Sequence, residues 1–167
     1  MTKTRRTLYL MRHAHAARPP GHFDKSRPLD DRGLEQARRI GAELAGAGIE
    51  RVLASSSART CQTATELGLG VTIEPVDAFY YGDSDTLLDG VRDLDDAWQR
   101  VLVVGHNPSI AYLVQDLLDP ARSDPTAVGL VATHFPTATC CQLDFEGPWV
   151  TLTRARLVRT LRPTYPV

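Results

Sequence analysis

The residues able to do chemistry gather in three short stretches. "LMRHA" places Arg12 and His13 after an apolar run, "SSSARTCQT" carries Arg59, and "VVGHNPS" carries His106. Arginine holds phosphate oxygens through a planar fork and keeps its charge. Neutral imidazole is a competent nucleophile toward phosphorus, and a covalent intermediate divides hydrolysis into two displacements. Cations around the transferring group neutralise charge that spreads over its equatorial oxygens. Arg12, His13, Arg59 and His106 together suit a tetrahedral dianion. This chemistry calls for no metal and no cofactor, and no paired-aspartate signature for Mg²⁺ is present.

These residues must be brought together by the fold. Thr7 to Met11, "RVLAS" and "RVLVVG" read as short buried strands, and "VTIEPV" as a further one. Between them, Leu34, Ala37, Gly41, Leu44 and Ala45 recur at helical spacing, Ala58 to Leu67 looks helical, and Leu87, Leu88, Val91 and Leu94 mark a helix capped by Ser84. Ile110, Leu113, Val114, Leu117 and Leu118 form another helical stripe. "LDPARSDPTAVG" reads as a surface loop, and "TCCQLDF" and "VTLTRARLV" around "EGPW" as a closing antiparallel hairpin. Alternating strands and helices predict an α/β fold, a three-layer αβα sandwich with a mostly parallel central sheet. In such folds ligands bind beyond the carboxyl ends of the strands. Arg12, His13 and His106 follow strands directly, and Arg59 opens the helix after one. Asn107 as N-cap and Pro108 as first helical residue would put His106 beside a helix start, where backbone N–H groups favour an anion. Asn107 therefore joins Arg12, Arg59 and His106 as a predicted phosphate-binding residue.

At 167 residues with a formal net charge of −1, the chain predicts one domain over residues 1–167 and offers no global attraction to nucleic acid or anionic membrane. The apolar run after Lys3, Arg5 and Arg6 is too short for a signal-peptide core, and no stretch reaches the length of a membrane span. Cys61, Cys140 and Cys141 are odd in number and two are adjacent, so free buried thiols in a reducing cytoplasm are expected.

Other polar residues carry weaker expectations. His15 would point the same way as His13 in extended chain; it is placed at the pocket rim or in solvent, and a metal-ligand role with His13 and His106 is disfavoured by neighbouring Arg12. Arg27 reads first as an ion-pair partner of Asp24 or Asp30, and second as a rim contact to phosphate. His22 and His134 read as exposed, Trp98 and Trp149 as packing residues, and "TYPV" as a loosely held terminus.

Taken together, "LMRHA", "ASSSARTCQT", "VVGHNPS" and "DKSRPLDDRG" resemble the histidine phosphatase superfamily, and the chain is similar to its short SixA-type phosphohistidine phosphatases. The resemblance runs from Leu8 to about Phe145. It implies a phosphoglycerate mutase-like fold, His13 as the phosphorylated nucleophile, and Arg12, Arg59 and His106 as phosphoryl-binding partners. Two departures stand out. Ala14 occupies the position where the family usually has glycine. The glutamate that larger relatives supply as general acid has no clear counterpart among Glu74, Asp77 and Asp83. A basic alkoxide leaving group needs a proton as it departs, whereas imidazole, with an ordinary pKa of about 6.5, does not. Fewer than fifty residues separate Arg59 from His106, too few for a large cap. The expected activity is removal of phosphate from phosphohistidine on a signalling or carrier protein. A small-molecule phosphomonoesterase and a phosphate-binding module without turnover are the alternatives.

Overall fold

A computed structural model describes residues 2–163. Six strands form one sheet: β1 (Arg5–Arg12), β2 (Arg51–Ser55), β3 (Ile73–Val76), β4 (Arg100–Gly105), β5 (Cys140–Glu146) and β6 (Arg156–Leu161). Their order is β3-β2-β4-β1-β5-β6. The first four run parallel, β5 lies antiparallel to β1, and β6 antiparallel to β5. The helices are α1 (Asp31–Leu44), α2 (Ala58–Glu66), α3 (Ala78–Tyr81), α4 (Ser84–Arg92), α5 (Ser109–Leu117) and α6 (Pro125–Thr133).

The period of two along the central strands builds two cores. Leu8 and Leu10 of β1 and Val101 and Val103 of β4 face one side, where Phe79, Leu87, Val91, Ile110, Leu113 and Val131 of α3 to α6 cover them. Tyr9, Met11, Leu102 and Val104 face the other side, against Ala37, Ile40 and Leu44 of α1 and Ala64 of α2. Both faces of β1 and β4 are thus buried, which is why "RVLVVG" is apolar throughout after Arg100. Removing each such aliphatic side chain from water favours folding by ~2 kcal/mol. The result is the predicted αβα sandwich.

Several local expectations need correction. The "surface loop" after Leu118 contains the start of α6: Asp124 accepts from Ala127 N–H and Pro125 is the first helical residue, so the proline starts a helix within the stretch read as loop. Helix α4 is capped by Asp83, which accepts from Thr86 N–H, and Ser84 lies inside it. The closing strands pair as predicted, but "VTLTRARLV" is extended strand only from Arg156. Ahead of it a 3-10 turn, Trp149–Thr151, buries Trp149 and directs its indole N–H to the Trp98 carbonyl at 2.8 Å. Cys140 and Cys141 are both buried, in opposite cores, and all three cysteines are free thiols. His22 and His134 are exposed as expected. The "TYPV" tail lies outside the described residues. Among the described residues no helix is long and apolar enough to cross a membrane.

Candidate active site

The parallel register decides which side chains meet. Arg12 lies beside Gly105, and Ala54 beside Val104. Residues His13, Ser55 and His106 therefore emerge at one sheet edge. There a cleft of about 380 Å³ is lined by Arg12, His13, His15, Arg59, His106 and Asn107, with Arg18, Asp24, Arg27, Tyr80 and Thr137 completing the wall.

His13 is fixed by backbone on both sides: its N–H donates to the Gly105 carbonyl at 2.9 Å, and its carbonyl accepts from Ala138 N–H at 3.0 Å. Its Nδ1 lies 2.7 Å from the Ala14 carbonyl. A carbonyl can only accept, so Nδ1 carries the proton and Nε2 keeps the lone pair. Burial pushes the His13 pKa down to about 3; the Ala14 carbonyl works against this, while nearby His106, Arg59 and Arg12 add to it. The imidazole is therefore neutral at physiological pH. Ala14 itself is fully buried and its N–H donates to Thr63 Oγ1 of α2 at 3.0 Å. Its methyl group is accommodated in the packed interior.

His106 faces His13, with ring centroids 5.4 Å apart. Its Nε2 is 2.8 Å from the Ser55 hydroxyl, and burial first, then Arg59, lowers its pKa to about 4. Arg12 donates from one terminal nitrogen to the Phe135 carbonyl at 3.0 Å. Its Nε is buried without a hydrogen-bond partner, and burial lowers its pKa. A desolvated, under-paired guanidinium of this kind is costly until an anion meets it. Asn107 lines the cleft but departs from its predicted capping role. Pro108, not Asn107, is the N-cap of α5, and the Asn107 amide donates to the same Phe135 carbonyl at 2.9 Å. Pro108 and Ser109 border a neighbouring hollow.

Arg59 reaches the cleft from the first turn of α2, whose N-cap Ser57 accepts from Thr60 N–H. Its guanidinium donates to the Asp24 carbonyl at 2.8 Å and to Asp24 Oδ2 at 3.1 Å. Asp24 Oδ2 also accepts from the Tyr80 hydroxyl at 2.6 Å, and Oδ1 from Arg27 at 3.2 Å. The Tyr80 hydroxyl, and after it Arg59, hold the Asp24 carboxyl down at about 2. Asp24 sits on a 3-10 turn, Asp24–Ser26, inside a segment pinned by a bridge between Ala16 and Leu29 and by Leu29 N–H donating to Gln62 at 2.7 Å. Arg27 is thus the expected ion-pair partner of Asp24 and also lines the cleft.

His15 is held at the rim. Its Nδ1 meets Asp30 Oδ2 at 2.5 Å, and its backbone N–H donates to Gln36 at 2.8 Å. Helix α1 packs so closely here that a Cβ on Gly33 would stand 1.9 Å from the His15 carbonyl oxygen. Gly33 is the residue that admits this approach.

None of the three acidic residues weighed from sequence lines the cleft. Glu74 pairs with Arg51, Asp77 with Lys25, and Asp83 caps α4. The carboxylate that does line it, Asp24, and the phenol of Tyr80 had no local sequence signal. Among the described residues no three His, Cys, Asp or Glu side chains form a metal-binding group.

The comparisons agree with this arrangement. The histidine phosphatase superfamily (branch 1) matches residues 8–79. The structure is similar to one assigned as phosphohistidine phosphatase SixA from Nakamurella multipartitia, at 31% identity over 99% of this chain and 100% of that one, with a TM-score of 0.88. A second protein so assigned, from Agrobacterium tumefaciens, is 28% identical over 98% of this chain and 100% of its own, with a TM-score of 0.78. The protein histidine phosphatase SixA complexed with tungstate is 25% identical over 94% of this chain and 97% of its own, with a TM-score of 0.75. The matched family model and the similarity of the whole fold place the chain: it is a phosphatase of the histidine phosphatase superfamily, of SixA type.

Proposed function

We propose that this phosphatase works through a phosphohistidine intermediate on His13 and removes phosphate from phosphohistidine carried by a protein. The observation that carries the reading is the neutral His13, its proton locked on Nδ1 by the Ala14 carbonyl, in one cleft with Arg12, Arg59 and His106. The lone pair on Nε2 attacks phosphorus, and the N–P bond of the substrate, protonated on its other ring nitrogen, breaks so that neutral imidazole departs with the electron pair. Water then attacks the phosphorus of phospho-His13 and releases inorganic phosphate, and the electron pair returns to Nε2. Arg12 and Arg59 hold the equatorial oxygens in both steps. His106 joins them, since a bound dianion favours its protonated form. The similar chains assigned as phosphohistidine phosphatases support the substrate class, and the tungstate held by one of them is a tetrahedral oxyanion like the proposed occupant.

The leaving group supports the same choice. The cleft's one lining carboxyl, Asp24, is held ionised with a pKa of about 2 and has no proton to give at neutral pH. Imidazole needs little help to depart, whereas an alkoxide needs a donor. The test is turnover of a phosphohistidine peptide against a panel of phosphomonoesters. Phosphohistidine is expected to be the faster substrate, quenching in alkaline denaturant should trap phosphate on the enzyme in an acid-labile form, and His13→Ala should lower the rate by at least ~10³-fold. Wild-type turnover by His13→Ala would refute the nucleophile. Sugar phosphates hydrolysed faster than phosphohistidine would refute the substrate class.

A further inference from the structure

Among the described residues the large hydrophobic side chains that stand exposed are Phe23, Tyr81, Tyr112 and Val150. Two of these adjoin the cleft lining along the chain. Phe23 is the chain neighbour of Asp24, and Tyr81 of Tyr80, both of which line it. Tyr81 and Tyr112, 88% and 60% exposed, share a hollow of about 230 Å³ with Pro108. That hollow borders the cleft: its Tyr81 and Pro108 are the chain neighbours of Tyr80 and Asn107, which line the cleft. The Tyr80 ring stands edge-on to His106 at 5.8 Å on one side and to Tyr81 at 4.5 Å on the other.

These rings do little for the fold. Tyr112 lies on the outer face of α5, whose core contacts come from Ile110, Leu113, Val114 and Leu117. Grouped exposed apolar side chains mark binding surfaces, and tyrosine is over-represented among the residues that dominate interfaces. The charges of the two compartments differ. The cleft collects arginines, whereas the hollow is lined by no lysine, arginine or histidine, and its one carboxylate, Asp83, is engaged in capping α4.

We infer that the hollow between Tyr81 and Tyr112 is a docking shelf for the protein that carries the phosphohistidine, taking apolar side chains that flank that histidine on a folded surface. This rests on the reading of the cleft as a protein phosphohistidine site, and continuity of the shelf with that cleft selects the occupant. The dianion enters the arginine clamp while the surface around it lies on the aromatic shelf.

The experiment compares two substrates: a folded carrier domain phosphorylated on histidine, whose phosphohistidine is flanked by apolar residues, and phosphoramidate, which fills only the clamp. Tyr112→Ser is expected to raise KM for the carrier domain on the order of tenfold. Its kcat on the carrier and its hydrolysis of phosphoramidate should stay at wild-type levels, and Tyr112→Phe should restore the KM. Tyr81→Ser with Tyr112→Ser should deepen the loss. Unchanged KM for the carrier domain in that double variant overturns the shelf while leaving the phosphohistidine reading intact. Equal loss on both substrates also overturns it, because the effect then lies in the clamp. Wild-type enzyme that turns over phosphoramidate but not the carrier overturns the substrate reading and the shelf together.

Discussion

The cleft has two walls of different kinds. One is the sheet edge, where His13 and His106 sit at the ends of paired strands with backbone or hydroxyl partners around them. The other is the segment 16–30, which brings Asp24 and Arg27 across to Arg59 through ion pairs that face solvent. At the sheet edge desolvation dominates, and both imidazoles are driven well below their ordinary range. On the opposite wall the Asp24 side chain is 56% exposed, so water screens its charge and its pairs are individually weak. Strong chemistry is built on the buried wall, and the exposed wall adjusts it.

That contrast can be sharpened from the larger effect down. Arg59→Ala removes a buried cation of the clamp and is expected to lower kcat/KM by ~10²- to 10³-fold, with Arg59→Lys recovering part of it because a point charge lacks the planar fork. A loss below threefold would place Arg59 outside the clamp. The acid limb of kcat/KM comes next. Protonating His13 fills the lone pair it attacks with, so activity falls as pH drops through about 3. His106 gains its proton earlier, at about 4, and adds a cation to the clamp, so it does not cause that fall. With the substrate's own titration measured separately, an acid limb near the ordinary imidazole value of about 6.5 would show that burial does not control His13. The smallest effect belongs to Asp24→Asn. The Asp24 backbone carbonyl still receives Arg59 at 2.8 Å, so the clamp keeps its shape while a negative charge leaves its edge. Inorganic phosphate should then inhibit at two- to fivefold lower concentration, a change of about 1 kcal/mol or less. Weaker inhibition would show that the carboxylate orients Arg59 more than it repels phosphate.

The same division explains what could be read from sequence. "RVLAS" and "RVLVVG" coincide with β2 and β4 because a strand buried on both faces writes itself as a continuous apolar run. The motif residues at their ends were legible for the same reason, since the parallel register carries Arg12, His13 and His106 to one edge. Asp24 was not legible in that role. It lies 35 residues before Arg59 in the chain, and its turn "DKS" looks like any polar loop. Tyr80 was hidden on a four-residue helix too short for a periodic stripe. Asn107 was misplaced because Asn followed by Pro is a common helix-start pattern, and only the fold brings the Phe135 carbonyl to its amide. Helix α6 was missed because Pro125 and Gly129 weigh against helix in a window, though proline at the first position costs nothing.

The place of β1 in the sheet has one more consequence. It pairs with β4 on one side and β5 on the other, whereas β3 and β6 are the edges. Edge strands can open alone, but a doubly paired central strand exchanges its amide hydrogens only when the whole sheet comes apart. The proposed nucleophile, His13, thus follows a strand held on both sides, and its backbone should be among those that open last.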